Sequence, residues 1–194
     1  AEFDQIPEVR KQKLLEVSAF IREKSARDEP VRLTVICTHN SRRSHMGEAW
    51  LHAAAEWYGL ENVKTYSGGT EATAFNPRAV AALERAGYSV ETVDANSDNP
   101  VYRLSLGRGY EPERHFSKKY DHPTNPKEGF AAIMVCAEAD AACPFVPGAA
   151  ARFALPYDDP KAFDGSVQEA GKYDERCRQI AREMFFVVKN ADFE

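Results

Sequence analysis

The chain has 194 residues, of which 43% are hydrophobic and 28% are charged, a composition typical of a globular protein rather than of a disordered or fibrous chain. We expect one domain over residues 1–194, because a domain typically holds ~100–200 residues. Acidic residues number 30 against 25 basic ones, so the net charge of −5 predicts no nucleic-acid or anionic-membrane partner. No apolar stretch approaches the ~18 residues that a membrane span requires.

The cysteines are the most informative part of the composition. Four in this length are too few for a disulfide-stapled secreted scaffold, and their spacing does not match a zinc site. The first residues carry no apolar signal core, so we expect a cytoplasmic location. In that reducing compartment, cysteines that are not simply buried are expected to be catalytic or redox-active.

The first half of the chain alternates helix-like and strand-like segments. Residues 1–30 are expected to form a helical extension, with the helix itself at about residues 7–25. Strands are predicted at residues 32–37 and 63–69. A helix follows each strand, the first starting at Arg43 and carrying a stripe of Met46, Trp50, Ala53 and Trp57, the second bounded by Asn76, Pro77 and Gly87.

The second half begins with an interruption of this pattern. Residues 94–129 are rich in proline, glycine and polar residues, which predicts a long surface insertion holding at most a short helix. Apolar runs at residues 130–136 and 151–157 predict two further buried strands. Residues 166–189 predict a closing helix, with a stripe of Ala170, Tyr173, Cys177, Ile180, Met184 and Val188. The expected fold is α/β, with a small four-stranded parallel sheet and helices on both faces.

The segment between the first strand and its helix has the form Cys-x5-Arg-Ser. A short loop that enters a helix N-terminus points several free N–H groups at one spot, which suits a tetrahedral oxyanion. Arg43 can add a bidentate clamp, and the helix dipole favours a thiolate at Cys37. Ser44 can donate to that thiolate, and Asn40 tolerates left-handed backbone. The expected substrate-binding residues are Thr38, His39, Asn40, Ser41, Arg42, Arg43 and Ser44.

Each candidate residue also has a purely structural interpretation. Cys37 could be a buried thiol at the end of a strand, with the arginines as surface charges. Asp159, before Pro160, is either a general acid or a turn residue. Cys136 and Cys143, six residues apart, are either a redox pair or two small buried side chains. Cys177, on the apolar stripe of the last helix, is assigned to the core.

The run VICTHNSRRSHMGEAW resembles the signature of the low-molecular-weight protein tyrosine phosphatase superfamily, closest to its thioredoxin-coupled arsenate reductases. The similarity continues through TYSGGTEATAFNPRAVAALERAG, VCAEADAACPFVP and YDDP, and covers most of residues 32–190. Two positions depart from the family pattern. His39 stands where the family usually has glycine, and Arg42 where it usually has a second cysteine.

The resemblance implies that the protein is an enzyme that reduces arsenate to arsenite. Cys37 would be the nucleophile, Arg43 the anion clamp, Asp159 the general acid, and Cys136 and Cys143 a thiol relay served by a thioredoxin-like reductant. The alternative enzyme is a protein tyrosine phosphatase or small phosphomonoester hydrolase acting by the same cysteinyl-phosphate chemistry. A third possibility is a regulator that binds an oxyanion without turnover.

No cofactor and no bound metal are expected. The resemblance offers potassium ligands at Asn40, Glu48, Ser67 and Asp98. Two histidines, His39 and His45, flank the loop and are expected to be solvated. The other three histidines have no metal-ligand spacing, namely His52, His115 and His122.

Overall fold

The computed structural model describes residues 2–107, 110–143 and 145–191. The strands in these ranges are β1 (Val31–Cys37), β2 (Val63–Gly69), β3 (Ser89–Asp94), β4 (Val101–Ser105), β5 (Glu113–His115), β6 (Phe130–Met134) and β7 (Ala149–Ala154). The helices are α1 (Glu8–Ala26), α2 (Arg43–Trp57), α3 (Pro77–Arg85), α4 (Ala137–Ala142) and α5 (Glu169–Lys189). Short 3-10 turns occupy Phe3–Gln5 and Pro160–Phe163. Among the described residues, no helix combines the length and apolar character that a membrane crossing needs.

The main sheet is parallel and has the strand order β2-β1-β6-β7. Every residue of β6 is buried, as expected for a strand covered on both faces. The register places Cys37 beside Gly69 and Ile36 beside Met134. The carboxyl ends of the three neighbouring strands therefore meet at one edge, and the predicted four-stranded α/β fold is confirmed.

The predicted helices are present, with two differences in their apolar stripes. Leu14, Val17 and Ile21 of α1 are buried as predicted, and Ser18 Oγ donates to the Val187 carbonyl of α5 at 2.8 Å. At the ends of the longer stripes, however, Trp57 is 65% exposed and Ala170 is exposed. Both lie at the first or last turn of a helix that extends past the core, where periodicity alone does not imply burial.

The predicted insertion at residues 94–129 contains strands that its composition did not indicate. Strand β4 pairs with β3 on one side and with β5 on the other, in an antiparallel sheet of order β3-β4-β5. The described residues of the insertion contain no α-helix. Most of β3 is exposed, and β5 is three residues long, so neither shows the alternation by which strands are recognised. Two residues of the insertion, 108 and 109, lie outside the described ranges.

Residues 116–120, which we call the strap, tie this insertion to the main sheet. The Gly69 amide donates to the Lys118 carbonyl, and the Tyr120 amide donates to the Gly69 carbonyl, both at 2.9 Å. A Cβ atom on Gly68 would lie 2.3 Å from the Cα of Tyr120, so only glycine allows this approach. The strap therefore extends the edge at which the strand ends meet.

Candidate active site

The loop between β1 and α2, residues 38–42, is fixed by Asn40. This residue has φ 45°, the left-handed conformation that asparagine tolerates better than most residues. Its amide nitrogen donates to Ser44 Oγ at 2.8 Å and to Ser67 Oγ at 3.0 Å, and its amide oxygen accepts from the Lys118 backbone at 2.8 Å. One buried side chain thus joins the loop, β2 and the strap.

Cys37 lies at the base of this loop and is buried. Its Sγ atom is 3.1 Å from Ser44 Oγ. Because that hydroxyl oxygen already accepts a hydrogen bond from Asn40, its own proton is free to point at the sulfur. The sulfur therefore has a hydroxyl donor beside it and lies just before the N-terminus of α2.

The two arginines of the loop have different partners. Arg43 is buried and donates to the Tyr157 carbonyl at 2.8 Å and to Asp159 Oδ2 at 2.7 Å. Arg42 donates instead to the Tyr173 hydroxyl at 2.8 Å. The Arg42 side chain thus braces the loop against α5, while Arg43 connects the start of α2 to the segment that holds Tyr157 and Asp159.

Both carboxylate oxygens of Asp159 accept hydrogen bonds. Its Oδ1 accepts from the Lys161 amide at 3.0 Å and so caps the 3-10 turn that begins at Pro160. Its Oδ2 faces Arg43. The turn-forming and the catalytic interpretations of this residue are therefore compatible, because the cap holds the carboxylate at the edge of the anion loop.

Two of the other cysteines flank the short helix α4. Cys136 is buried, its Sγ lies 3.3 Å from Thr38 Oγ1, and it caps α4 by accepting from the Ala139 amide at 3.4 Å. Cys143 follows the last turn of α4 and is half-buried. Cys177 lies elsewhere, in the core beneath Trp50, and burial raises the pKa of its thiol to about 11.

Comparison with known proteins is consistent with this geometry. A family model described as low molecular weight phosphotyrosine protein phosphatase matches residues 32–101, which include the anion loop. Over these residues the chain is similar to the low-molecular-weight protein tyrosine phosphatase family. An arsenate reductase of Bacillus licheniformis is 28% identical over 147 residues, covering 74% of this chain and 84% of the relative. An arsenate reductase of Bacillus subtilis is 27% identical over 145 residues, with the same coverage.

Solved structures of the superfamily share the fold. A YwlE mutant from Bacillus subtilis aligns with a TM-score of 0.55 at 19% identity, covering 82% of this chain and 97% of that protein. A low-molecular-weight protein tyrosine phosphatase from T. tengcongensis aligns with a TM-score of 0.55 at 15% identity, covering 82% and 98%.

Behind the phosphatase-type loop lies a buried group that we call the histidine–glutamate cluster, consisting of His45, Glu48 and His115. The expectation that His45 is solvated was wrong, since it is completely buried and stacks on Phe75 with ring centroids 4.0 Å apart. Burial lowers the pKa of His45 well below its usual range. Burial alone would also lower the pKa of His115, but the carboxylates of Glu48 and Glu113 raise it to about 9.

The potassium ligands implied by the resemblance are only partly assembled. Asn40 and Ser67 are hydrogen-bonded to each other, but the Asn40 oxygen accepts from the Lys118 amide. Asp98 is exposed. Glu48 faces two histidines instead, with its Oε2 3.2 Å from His115 Nδ1. Of this chain's described residues, His45, Glu48 and His115 are the group that could hold a metal ion.

Proposed function

We propose that the protein reduces arsenate to arsenite through a relay of Cys37, Cys136 and Cys143. The observation that carries the proposal is the position of Cys136, whose Sγ lies 3.3 Å from Thr38 Oγ1, the first residue of the anion loop. A second thiol at this position is not needed for phosphoester hydrolysis. The arsenate reductases among the chain's relatives support the same reaction.

The first step forms a bond between sulfur and arsenic. Backbone N–H groups of the loop and the guanidinium of Arg43 bind arsenate, and the Cys37 thiolate attacks the arsenic atom. Asp159, which lies beside Arg43, gives a proton to the departing oxygen, which leaves as water.

The second step is the reduction. The thiolate of Cys136 attacks Sγ of Cys37, and the electron pair of the sulfur–arsenic bond passes to arsenic. As(V) becomes As(III) and leaves as arsenite, while Cys37 and Cys136 become a disulfide. Phosphorus has no equivalent accessible step, so this thiol gives the site its selectivity for arsenate over phosphate.

In the third step Cys143 attacks Cys136, which releases the Cys37 thiolate and moves the disulfide outward. The two cysteines flank a six-residue helix with a rise of about 1.5 Å per residue, which places their Cα atoms about 10 Å apart. A disulfide needs a Cα separation below about 7 Å, so α4 must unwind. The half-buried Cys143 then offers the disulfide to a dithiol reductant of the thioredoxin class.

The decisive experiment is arsenate-dependent oxidation of NADPH with thioredoxin and thioredoxin reductase, compared between wild type, Cys143→Ala and Cys177→Ala. Wild type and Cys177→Ala are expected to turn over. Cys143→Ala is expected to release one arsenite per chain and then stop, a loss of at least about 100-fold in steady-state rate, because Cys37 and Cys136 remain as a disulfide.

Two results would overturn the proposal. One is multiple turnover by Cys143→Ala. The other is hydrolysis of an aryl phosphate without any arsenate turnover, which would identify the protein as a phosphatase. Retention of tight arsenate binding with neither activity would instead identify a regulator.

A further inference from the structure

We propose that the histidine–glutamate cluster binds a divalent transition metal, with Zn²⁺ as the best match, and that this metal joins the insertion to α2 behind the anion loop. The ligands would be His45 Nδ1, His115 Nδ1 and Glu48 Oε2. The proposal does not depend on the proposed function, because none of these atoms belongs to the thiol relay or to the anion clamp.

The distances between the three donor atoms fit a tetrahedral site. The two Nδ1 atoms are 3.3 Å apart, and Glu48 Oε2 lies 3.2 Å from His115 Nδ1 and 3.9 Å from His45 Nδ1. Zinc bonds of about 2.0–2.1 Å place neighbouring tetrahedral ligands about 3.3 Å apart. The three atoms therefore occupy three corners of the polyhedron with little movement. The remaining corner would take a water molecule.

An unpartnered buried atom points to a ligand at this position. Glu48 is 5% exposed, and within the described ranges its Oε2 atom receives no hydrogen bond of proper geometry, although buried carboxylate oxygens normally have one. The same oxygen is the one that faces both histidines. A metal bound there would satisfy it.

The residues around the cluster supply the supporting contacts that metal sites use. Glu113 Oε2 lies 3.3 Å from His115 Nε2, and a carboxylate on the outer nitrogen of a ligating histidine fixes the tautomer that directs Nδ1 inward. Phe75 stacks on the ring of His45 and fixes its orientation.

A path to the site exists. A cavity of about 500 Å³ is lined by Glu48, Thr65, Glu113 and Lys118, so Glu48 can be reached from the surface. The ammonium group of Lys118 is the positive charge that opposes a cation here, because it also interacts with Glu48 and His45. It would move toward solvent or toward the ring of Phe116, which lies 4.9 Å from it.

The histidine spacing in the sequence predicts no such site, because His45 and His115 are 70 residues apart. They meet only because β5 of the insertion packs behind α2. A metal here would join α2 to β5 of the antiparallel sheet, behind the anion loop.

The test measures metal bound to untagged protein that has been stripped with a chelator and then supplied with Zn²⁺ or Co²⁺. We expect one equivalent per chain in wild type and in His122→Ala, a matched histidine outside the cluster. We expect a loss of at least 100-fold in affinity in His115→Ala, and a loss of about 10–100-fold in Glu113→Gln. Circular dichroism verifies that each variant is folded.

The visible spectrum of Co²⁺ bound to the wild-type protein is a second measurement. It involves no substitution, so misfolding of a variant cannot affect it. Intense tetrahedral bands without a thiolate charge-transfer band would support the site. A thiolate band would place the metal on the cysteines, and weak octahedral bands would mean surface binding. Either result, or less than one bound equivalent, or full retention of zinc by folded His115→Ala, would overturn the proposal.

Discussion

Asn40 has the largest structural role of any single residue in the anion loop. Its left-handed backbone turns the loop, and its amide makes hydrogen bonds to three separate segments through Ser44, Ser67 and the Lys118 backbone. The same amide leaves the Ser44 proton free for Cys37. The surroundings of the Cys37 sulfur and the shape of the loop therefore depend on one side chain.

We predict that Asn40→Ala destabilises the protein. It should lower the free energy of unfolding by about 2–4 kcal/mol, because three buried hydrogen bonds worth about 1 kcal/mol each are lost and their partners stay unsatisfied. Urea denaturation measures the change. The control is Asn62→Ala, which removes part-buried bonds to Ser25 and Glu29 away from the site and should cost at most about 1 kcal/mol. Equal losses in the two variants would contradict the assigned role of Asn40.

Among the elements, the strap connects the insertion to the catalytic edge. It binds β2 through main-chain hydrogen bonds at Gly69, and it supplies the amide that holds the Asn40 oxygen. The insertion is therefore part of the active-site structure, although its composition is that of a loop.

The corresponding prediction concerns Gly68→Ala, which should displace the strap because the new methyl group would lie 2.3 Å from the Cα of Tyr120. We expect a loss of about 1–3 kcal/mol in unfolding free energy, with faster amide exchange in residues 116–120, measured by mass spectrometry. Gly171→Ala in α5 is the control, since outside its own stretch of helix no atom of the described residues lies within 4 Å of the added Cβ, and it should be neutral or stabilising by up to about 1 kcal/mol. Unchanged exchange in the strap of Gly68→Ala would refute this account.

Across the whole molecule, the N-terminal extension is linked to the active site by a buried polar network. Arg10 of α1 pairs with Glu183 of α5 at 2.8 Å, and the Tyr157 hydroxyl donates to the same carboxylate at 2.7 Å. The carbonyl of Tyr157 in turn accepts from Arg43. Burial raises the pKa of Tyr157 well above its usual range, so its hydroxyl remains a donor.

For the whole molecule we predict that Arg10→Met leaves the Glu183 carboxylate without its cation and lowers the free energy of unfolding by about 3–5 kcal/mol. The double variant Arg10→Met/Glu183→Gln should recover part of that loss, since no uncompensated charge remains buried. Thermal and urea unfolding measure the free energy of unfolding of the single and the double variant. A double variant no more stable than Arg10→Met alone would show that the ion pair is not the source of the effect.

The main sheet and the Cys37 loop could be predicted from sequence because their signals are local. An apolar run followed by Cys-x5-Arg marks the strand, loop and helix, and Asn76 and Pro77 mark the start of α3. The antiparallel sheet could not be predicted from sequence. Most of β3 is exposed, and β5 is too short to show an alternation of apolar and polar residues. The histidine–glutamate cluster was missed for a different reason. It depends on a tertiary contact between His45 and His115, which no spacing rule describes.

The strap contacts the anion loop through the Lys118 amide, which donates to Asn40 Oδ1, and through the Ser117 hydroxyl, which donates to the His39 carbonyl at 3.0 Å. The Lys118 carbonyl and the Tyr120 amide bond Gly69 of β2, whereas the side chain of Lys119 is exposed. Position 119 pairs with Gly69, the residue beside Cys37 in the sheet, and its side chain can therefore be varied while the contacts of its neighbours stay intact. A saturation library at this position offers a direct way to alter which molecules reach Cys37 without rebuilding the catalytic loop.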